Sequence, residues 1–156
     1  MRDRRPLLAI AFLAASVLLY VLCLPQGAIC IGGSCRGWSG FFIATLGWLE
    51  LVGIGRASFL VVTAWYANPA VWVAWGLLLG RAYLGAAAAG LVAVLLALGY
   101  RLGSRILVSE SGEADLISGV GPGYWEWVVS MGFACVAGLI GWIQTTEAPV
   151  PAAGRR

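Results

Sequence analysis

Residues 82–100 read AYLGAAAAGLVAVLLALGY, a segment without a single charge that lies between Arg81 and Arg101. A bilayer core about 30 Å thick is crossed by about 20 apolar residues in a helix. The segment therefore predicts a membrane-spanning helix. The whole chain has the same character, because 61% of its 156 residues are hydrophobic and 11% are charged, against about 25% charged residues in soluble domains. The composition predicts that lipid surrounds most of this protein.

Three other segments have the length and apolar character of a span, and a fourth is expected to lie in the membrane interface or to re-enter the membrane. The predicted fold class is therefore all-α, an integral membrane bundle of four transmembrane helices plus one interfacial or re-entrant helix, in a single domain over residues 1–156. The predicted spans are about 7–24, 57–79, 82–100 and 123–142, and the predicted interfacial helix is about 39–54.

A count of five spans is the alternative, in which the segment before residue 56 also crosses. The ten arginines divide six to four between the two sides of the membrane in either case, so the positive-inside rule does not decide. Four spans are favoured because the link 53–56 is short for a helix hairpin. Glu50 would also be costly in hydrocarbon without a partner.

The orientation follows from the N-terminal arginines. Arg2, Arg4 and Arg5 precede the first apolar segment, and no small-residue cleavage site follows that segment at the right distance. The first span is therefore expected to stay uncleaved, with both termini in the cytoplasm. The chain has no Lys and is rich in Ala, Gly and Arg, which is typical of a GC-rich bacterium. The predicted location is the bacterial inner membrane, with several passes.

Several kinds of chemistry are excluded by residues that the chain lacks. Without His there is no Ser-His-Asp or Cys-His arrangement, and without Lys there is no Schiff base or P-loop lysine. The net charge of +3 has no clustered basic face and does not indicate nucleic-acid binding. We predict no catalytic residues, no metal site and no cofactor, and the expected partner is the lipid bilayer.

Cys30 and Cys35 lie in the first predicted outer loop, separated by four residues that include Gly32 and Gly33. An external compartment would keep these thiols oxidised, so a disulfide that closes the loop is expected. A redox-active pair is the alternative, because Arg36 follows Cys35 and a nearby cation can lower the pKa of a thiol.

Three polar residues are candidates for an intramembrane or interfacial site. Glu50 and Glu126 lie in or against apolar segments, and an acid within a membrane is a functional candidate by default. Asn68 precedes Pro69, where proline removes a backbone donor and kinks a helix, and the Asn68 side chain can satisfy a freed group. The alternative for both acids is a local interfacial contact with an arginine, headgroups or water.

Small residues form possible helix-packing faces, since glycine lets two helices approach closely. Such a face can serve the chain's own bundle, a second copy of the chain, or another membrane subunit. The candidate positions are Gly76, Gly80, Gly85, Gly90, Gly99 and Gly103.

Aromatic residues recur near the ends of the predicted spans. Amphipathic rings favour the headgroup zone, so most of these residues are expected to form an interfacial belt. The set comprises Trp38, Trp48, Trp65, Trp125, Trp127, Trp142, Tyr20, Tyr100 and Tyr124.

The sequences Gly47-Trp48, 65–69 (WYANP) and 123–127 (GYWEW) resemble a pattern of small bacterial four-helix integral membrane proteins to which no activity is assigned. The resemblance covers about 30–142 and implies fold and location, without catalytic residues. We therefore expect a non-enzymatic membrane protein, an accessory, scaffold or sensor subunit that acts through helix packing. The alternatives are a small oligomeric transporter or channel, and a membrane thiol–quinone oxidoreductase.

Overall fold

A computed structural model describes residues 7–51, 58–108 and 114–146 of the chain. The protein is mixed α/β, mostly helical with a four-stranded antiparallel sheet. The predicted all-α class is therefore wrong. The first predicted outer loop contributes two strands, and the segment between the predicted spans 82–100 and 123–142 contributes the other two.

Seven α-helices and one 3-10 turn make up the helical part of the described ranges. The 3-10 turn, Gly47–Leu51, continues directly from α2. The α-helices are α1 (Leu7–Cys23), α2 (Gly40–Leu46), α3 (Phe59–Ala64), α4 (Ala67–Leu79), α5 (Tyr83–Ala97), α6 (Gly99–Leu102) and α7 (Pro122–Thr146).

The sheet has the strand order β2-β1-β4-β3, and every neighbouring pair is antiparallel. Two strands follow α1 and two precede α7, so the sheet joins two parts of the chain that are far apart in sequence. Across the β1–β4 boundary, Cys30 lies opposite Gly119. The strands are β1 (Gly27–Ile31), β2 (Ser34–Ser39), β3 (Arg105–Leu107) and β4 (Ala114–Val120).

The β1–β2 hairpin explains why the loop prediction failed. Gly32 and Gly33 have φ values of 58° and 80°, which is the backbone of a two-residue turn that suits twisted strands. Glycine adopts this left-handed region without a steric penalty. A Gly-Gly pair between two short segments in which apolar and polar residues alternate indicates a β-hairpin. The long apolar segments on either side made this pattern hard to recognise.

The prediction of four spans is also wrong by helix length. Among the described residues, two helices are long and apolar enough to cross a membrane, Tyr83–Leu102 and Pro122–Thr146, by length and composition only. They match the predicted segments 82–100 and 123–142. Helix α1 has 17 residues, and the segment 57–79 is divided between α3 and α4.

The division between α3 and α4 lies at Trp65 and Tyr66, just before Pro69. Proline is tolerated in the first turn of a helix, where an N–H has no intrahelical partner, so α4 begins at Ala67 and includes Pro69. The Trp65 carbonyl, which the N–H of a residue at position 69 would normally bond, accepts the Asn68 backbone N–H at 3.0 Å and the Asn68 side-chain amide at 3.2 Å instead.

The segment predicted as an interfacial helix, about 39–54, forms α2 and the 3-10 turn up to Leu51, and 52–54 lie outside the described residues. The Ser39 hydroxyl caps α2 by accepting the Phe42 N–H at 3.3 Å. Phe41, Phe42 and Leu46 are exposed, whereas Ile43 is buried in the core.

Helix α7 lies at the centre of the helical packing, with α1 and α5 against it and α4 against α5. Small residues allow this close approach. A methyl group at Gly90 of α5 would lie 2.6 Å from the Cys135 backbone nitrogen on α7. The sheet and α2 lie at one end of the bundle, where α1 ends and α7 begins, and the turn from α4 to α5 lies at the opposite end.

Candidate functional site

Asn68 is the centre of a buried polar cluster that joins α1, α4 and α7. Its side-chain oxygen Oδ1 accepts the Tyr20 hydroxyl at 2.8 Å and the Trp127 indole N–H at 2.9 Å. Asn68 is fully buried, and its amide nitrogen donates to the Trp65 carbonyl. We call Tyr20, Asn68 and Trp127 the Asn68 cluster.

A second polar layer connects the same three helices farther from the sheet. The Trp75 indole N–H donates to the Ser16 hydroxyl at 2.9 Å, and that hydroxyl donates to the Ser130 carbonyl at 2.6 Å. The Ser130 hydroxyl in turn donates to the Trp127 carbonyl at 2.7 Å. We call Ser16, Trp75 and Ser130 the Ser16 layer. The Tyr20 and Trp75 rings meet edge to face, 5.2 Å apart, and connect the two layers.

The polar side chains of the two layers all have hydrogen-bond partners inside the bundle. Among the described residues, no buried side-chain nitrogen or oxygen lacks a hydrogen-bond partner. A buried network with every partner in place favours one register of the helices over its alternatives, because a shifted register would leave polar groups unpaired. This arrangement supports a positioning role for Asn68, since its oxygen and nitrogen are both engaged.

A narrow cavity of about 10 Å³ lies between the Asn68 cluster and the sheet. Aromatic walls come from Tyr100 and Tyr124, and the floor includes Cys23, Ile29 and Ile43. A space of this size holds about one water molecule. The cavity is therefore too small for an organic substrate or a quinone ring.

Glu126 lies near the start of α7 and bonds to the turn that follows α1. Its carboxylate accepts the Gln26 side-chain amide at 2.6 Å, and the same amide nitrogen donates to the Leu22 carbonyl at 3.2 Å. Glu126 is half-buried at the junction of helices and sheet. The contact fastens the end of α1 to the beginning of α7. Glu50 lies in the 3-10 turn, and its side chain is outside the described residues.

The predicted disulfide between Cys30 and Cys35 is present and crosses the β1–β2 hairpin next to its turn. The Ser118 hydroxyl of β4 accepts the Gly33 N–H at 3.1 Å and donates to the Cys30 carbonyl at 3.0 Å. The hairpin tip is thus held both covalently and by β4. Cys23 and Cys135 are free thiols, the first buried and the second half-buried.

The six predicted packing glycines fall into two groups. Gly90, Gly99 and Gly103 contact other helices of the same chain, where side chains would collide with Cys135, Leu60 and Val61 respectively. In contrast, Gly76 has open space beside its Cα, and Gly80 and Gly85 meet only residues of the α4–α5 hairpin.

Several residues of the site were not identified from the sequence. Ser16 and Ser130 are single polar residues within apolar helices, which is a usable signal for an internal hydrogen bond. Trp127, Tyr20, Tyr100 and Tyr124 were assigned to an interfacial belt, but all four are buried. On α7, Gly138 and Gly141 contact α5 as closely as Gly90 contacts α7, and their spacing with Ala134 and Ala137 forms a small-residue face.

No group of three or more His, Cys, Asp or Glu side chains that could hold a metal occurs in the described ranges. The polar groups that converge between the helices are hydroxyls, indoles and one amide, which are suited to holding helices together. Comparison with known proteins finds no matching family model, no matching curated protein and no matching solved structure.

Proposed function

We propose that this chain is a non-enzymatic integral membrane protein of a bacterial inner membrane, an accessory, scaffold or sensor subunit that acts by packing its helices against a partner. The helices would hold the disulfide-closed sheet outside the membrane. The inverted distribution of polar and apolar side chains is the observation that carries this proposal.

Large apolar side chains cover the outer surface of the helices. Leu7, Leu79 and Leu95 are 81%, 76% and 61% exposed, whereas Ser16 and Asn68 are 0% exposed. A soluble monomer rarely exposes apolar patches larger than a few hundred Å². Lipid reverses that preference, because buried polar groups then satisfy one another inside the bundle and apolar groups face the acyl chains.

The disulfide supports one orientation. Structural disulfides persist in oxidising compartments such as the bacterial periplasm, so the sheet end would face the periplasm. The opposite end, with Leu7, the Gly80–Ala82 turn and Thr146, would then face the cytoplasm. Both apolar helices of spanning length run between these two ends.

A partner helix fits best on the outer face of α4. Gly76 has no heavy atom of another part of the chain near its Cα, and it lies one turn from both Trp72 and Gly80, which are exposed. A small residue between larger ones forms a notch in which a second helix can approach closely. The occupant would be a second copy of the chain or a different membrane subunit.

Membrane location can be tested directly. We expect the chain to remain in the membrane pellet after alkaline carbonate extraction. For orientation, Asp115→Cys at the sheet and Ala82→Cys at the opposite turn are compared in a background without Cys23 and Cys135, with Cys30–Cys35 left oxidised. A membrane-impermeant maleimide should label Asp115→Cys in intact cells and Ala82→Cys only after lysis. Extraction of the chain by carbonate would refute the proposal, and reversed labelling would refute the orientation.

The transporter or channel alternative has less support. A permeation path needs polar groups that can exchange partners with an ion, but the oxygen and nitrogen of Asn68 are both engaged inside the bundle. Glu126 is bonded to Gln26 at the edge of the sheet. Neither contact lines a cavity larger than about one water molecule.

The thiol–quinone oxidoreductase alternative requires a second cysteine pair to exchange with Cys30 and Cys35. The remaining thiols are too far apart to form that pair. The Cys23 carbonyl lies against Gly123 at the start of α7, and Cys135 is twelve residues farther along that helix, or about 18 Å at 1.5 Å per residue. The disulfide is therefore better explained as a structural bond.

A further inference from the structure

Helix α2 and the 3-10 turn that follows it carry an exposed apolar surface beside the sheet. On the opposite side of α2, Ile43 is buried in the core. Residues 37–49 contain no charged side chain, although the exposed side of a helix in water normally carries charged or polar residues. We call this surface the α2 face. Its members are between 38% and 60% exposed and are Phe41, Phe42, Leu46, Trp48 and Leu49.

Contacts with α6 and with the residues between α3 and α4 fix the level of the α2 face along the bundle. The Trp65 indole N–H donates to the Ala44 carbonyl of α2 at 3.2 Å. A methyl group at Gly47 would lie 2.7 Å from the ring carbon Cδ1 of Trp65 and 3.4 Å from the Tyr100 hydroxyl oxygen. Tyr100 is near the end of the apolar helix Tyr83–Leu102, about 3 Å from it at a rise of about 1.5 Å per residue. The α2 face is therefore level with the end of that helix nearest the sheet.

The polar groups beside the α2 face suit contact with lipid. Thr45 is exposed, and its hydroxyl donates to the Phe41 carbonyl of the same helix at 2.8 Å. In α3, the Thr63 hydroxyl donates to the Phe59 carbonyl at 3.0 Å. A hydroxyl that bonds a carbonyl of its own helix needs no water molecule, so it is tolerated in hydrocarbon. The indole ring of Trp48 belongs to the amphipathic type that favours the headgroup zone.

We propose that the α2 face lies in the periplasmic leaflet of the bilayer, at the boundary between headgroups and acyl chains, and holds the disulfide-closed sheet against the membrane surface. The inference rests on the proposed membrane location and deepens it by naming the part of the sheet end that contacts lipid. The apolar face of an interfacial helix enters this boundary by about 5 to 10 Å. Because the α2 face has no charge, the contact requires no anionic headgroup.

The surroundings of α2 favour lipid as the occupant of this face. Helix α3 packs against the 3-10 turn and also exposes apolar side chains, of which Phe59 is 76% exposed. Exposed apolar surface at this level is therefore not confined to one helix, as it would be for a single docked helix of a partner. A bilayer covers all such surfaces at one depth, whichever helix carries them.

The test places a nitroxide spin label at single positions of the full chain in vesicles of dioleoyl-phosphatidylcholine. Phe41→Cys reports on the α2 face, Leu95→Cys on the outer surface of α5, and Asp115→Cys on the exposed side of β4. Each variant is made in the same cysteine background as the maleimide-labelling variants. Power-saturation electron paramagnetic resonance compares collisions with oxygen, which concentrates in lipid, and with a water-soluble nickel chelate.

We expect the label at Leu95→Cys to collide more with oxygen and the label at Asp115→Cys to collide more with nickel. The label at Phe41→Cys should also favour oxygen, by less than the label at Leu95→Cys because it lies nearer the headgroups. Leu46→Cys is a second position on the α2 face and decides the matter if Phe41→Cys does not fold. Addition of dioleoyl-phosphatidylglycerol to the vesicles should leave the oxygen preference unchanged.

Three results would overturn the inference. The labels on the α2 face could favour nickel, they could be shielded from both reagents because a second copy of the chain covers them, or they could favour oxygen only when phosphatidylglycerol is present. Any of these together with an oxygen preference at Leu95→Cys leaves the proposed membrane location standing. A nickel preference at Leu95→Cys would refute that location itself.

Discussion

The Trp127 indole N–H of α7 donates to the Asn68 side-chain oxygen of α4 at 2.9 Å, and the Tyr20 hydroxyl of α1 donates to the same oxygen. One acceptor therefore fixes three helices relative to one another. The two donors lie 59 and 48 residues from Asn68 along the sequence, so the contact forms only when the bundle is assembled.

Substitution of Asn68 should destabilise the protein because two buried donors lose their acceptor. We expect Asn68→Leu to lower the free energy of unfolding by about 1 to 3 kcal/mol, measured by titration of detergent-solubilised protein with sodium dodecyl sulfate. Removal of the donors as well, in Asn68→Leu with Tyr20→Phe and Trp127→Phe, should recover part of the loss. Trp125→Phe is the control, since Trp125 is half-exposed on the same helix. A neutral Asn68→Leu would show that the cluster does not position the helices.

The disulfide should stabilise the sheet without being needed for the helices. Cys30 and Cys35 close a loop with a sequence separation of 5, and loop-closure entropy for such a short loop amounts to about 2 kcal/mol. We expect the double variant Cys30→Ser, Cys35→Ser to lose about that much stability while its helical circular dichroism is retained. Cys135→Ser is the matched control, and equal losses in both variants would contradict a specific role for the bridge.

Substitution by leucine should destabilise the fold at one glycine and leave it unchanged at another. Gly90→Leu places a side chain against the backbone of α7, and we expect it to destabilise the folded chain by about 1 to 3 kcal/mol or more. Gly76→Leu enters open space and should leave folding of the isolated chain unchanged. If α4 is the partner face, Gly76→Leu should instead reduce the size of the complex recovered in gentle detergent. An unchanged complex would move the partner surface elsewhere.

Glu126 should behave as a hydrogen-bond acceptor and not as a proton carrier. Glu126→Gln retains an oxygen for Gln26, so we expect a stability change of less than about 1 kcal/mol. Proton flux into proteoliposomes, followed with an entrapped pH-sensitive dye, should equal that of the unmodified chain. Wild-type flux above that of empty liposomes that is abolished by Glu126→Gln would restore the transporter alternative.

The two long apolar helices could be predicted from the sequence because the residues that indicate each helix are neighbours along the chain. Segments 82–100 and 123–142 each predict a helix from their length and mostly apolar composition, and α5, α6 and α7 occupy those positions. Residues within one helix need only their neighbours in sequence to form it. The disulfide was predictable for the same reason, since its two cysteines lie five positions apart.

The sheet and the Asn68 cluster depend on residues that are distant in sequence. Strand β3 has three residues, and β4 contains Ser118 and Gly119, so neither carries a strong strand pattern alone. Strand β4 is ordered by pairing with β1, which is about ninety positions earlier, and β3 pairs with β4. Similarly, nothing next to Asn68 in the sequence indicates that Trp127 supplies a donor. The division at Trp65 shows that a local signal can also be underestimated. Pro69 lies in the first turn of α4, and the predicted span 57–79 forms two shorter helices.

Strand β1 occupies an inner position in the sheet, yet one of its two neighbours is synthesised only shortly before α7. Gly27–Ile31 and its hairpin partner β2 are synthesised before Ala114–Val120. Until β4 is made, the backbone N–H and C=O groups on one edge of β1 have no strand to pair with. Arrival of Ala114–Val120 closes that edge, and Pro122 then begins the helix on which α1 and α5 both rest. Completion of the sheet and of the bundle therefore both depend on the segment from Ala114 onward, and a chain interrupted before residue 114 would display an open template for aggregation.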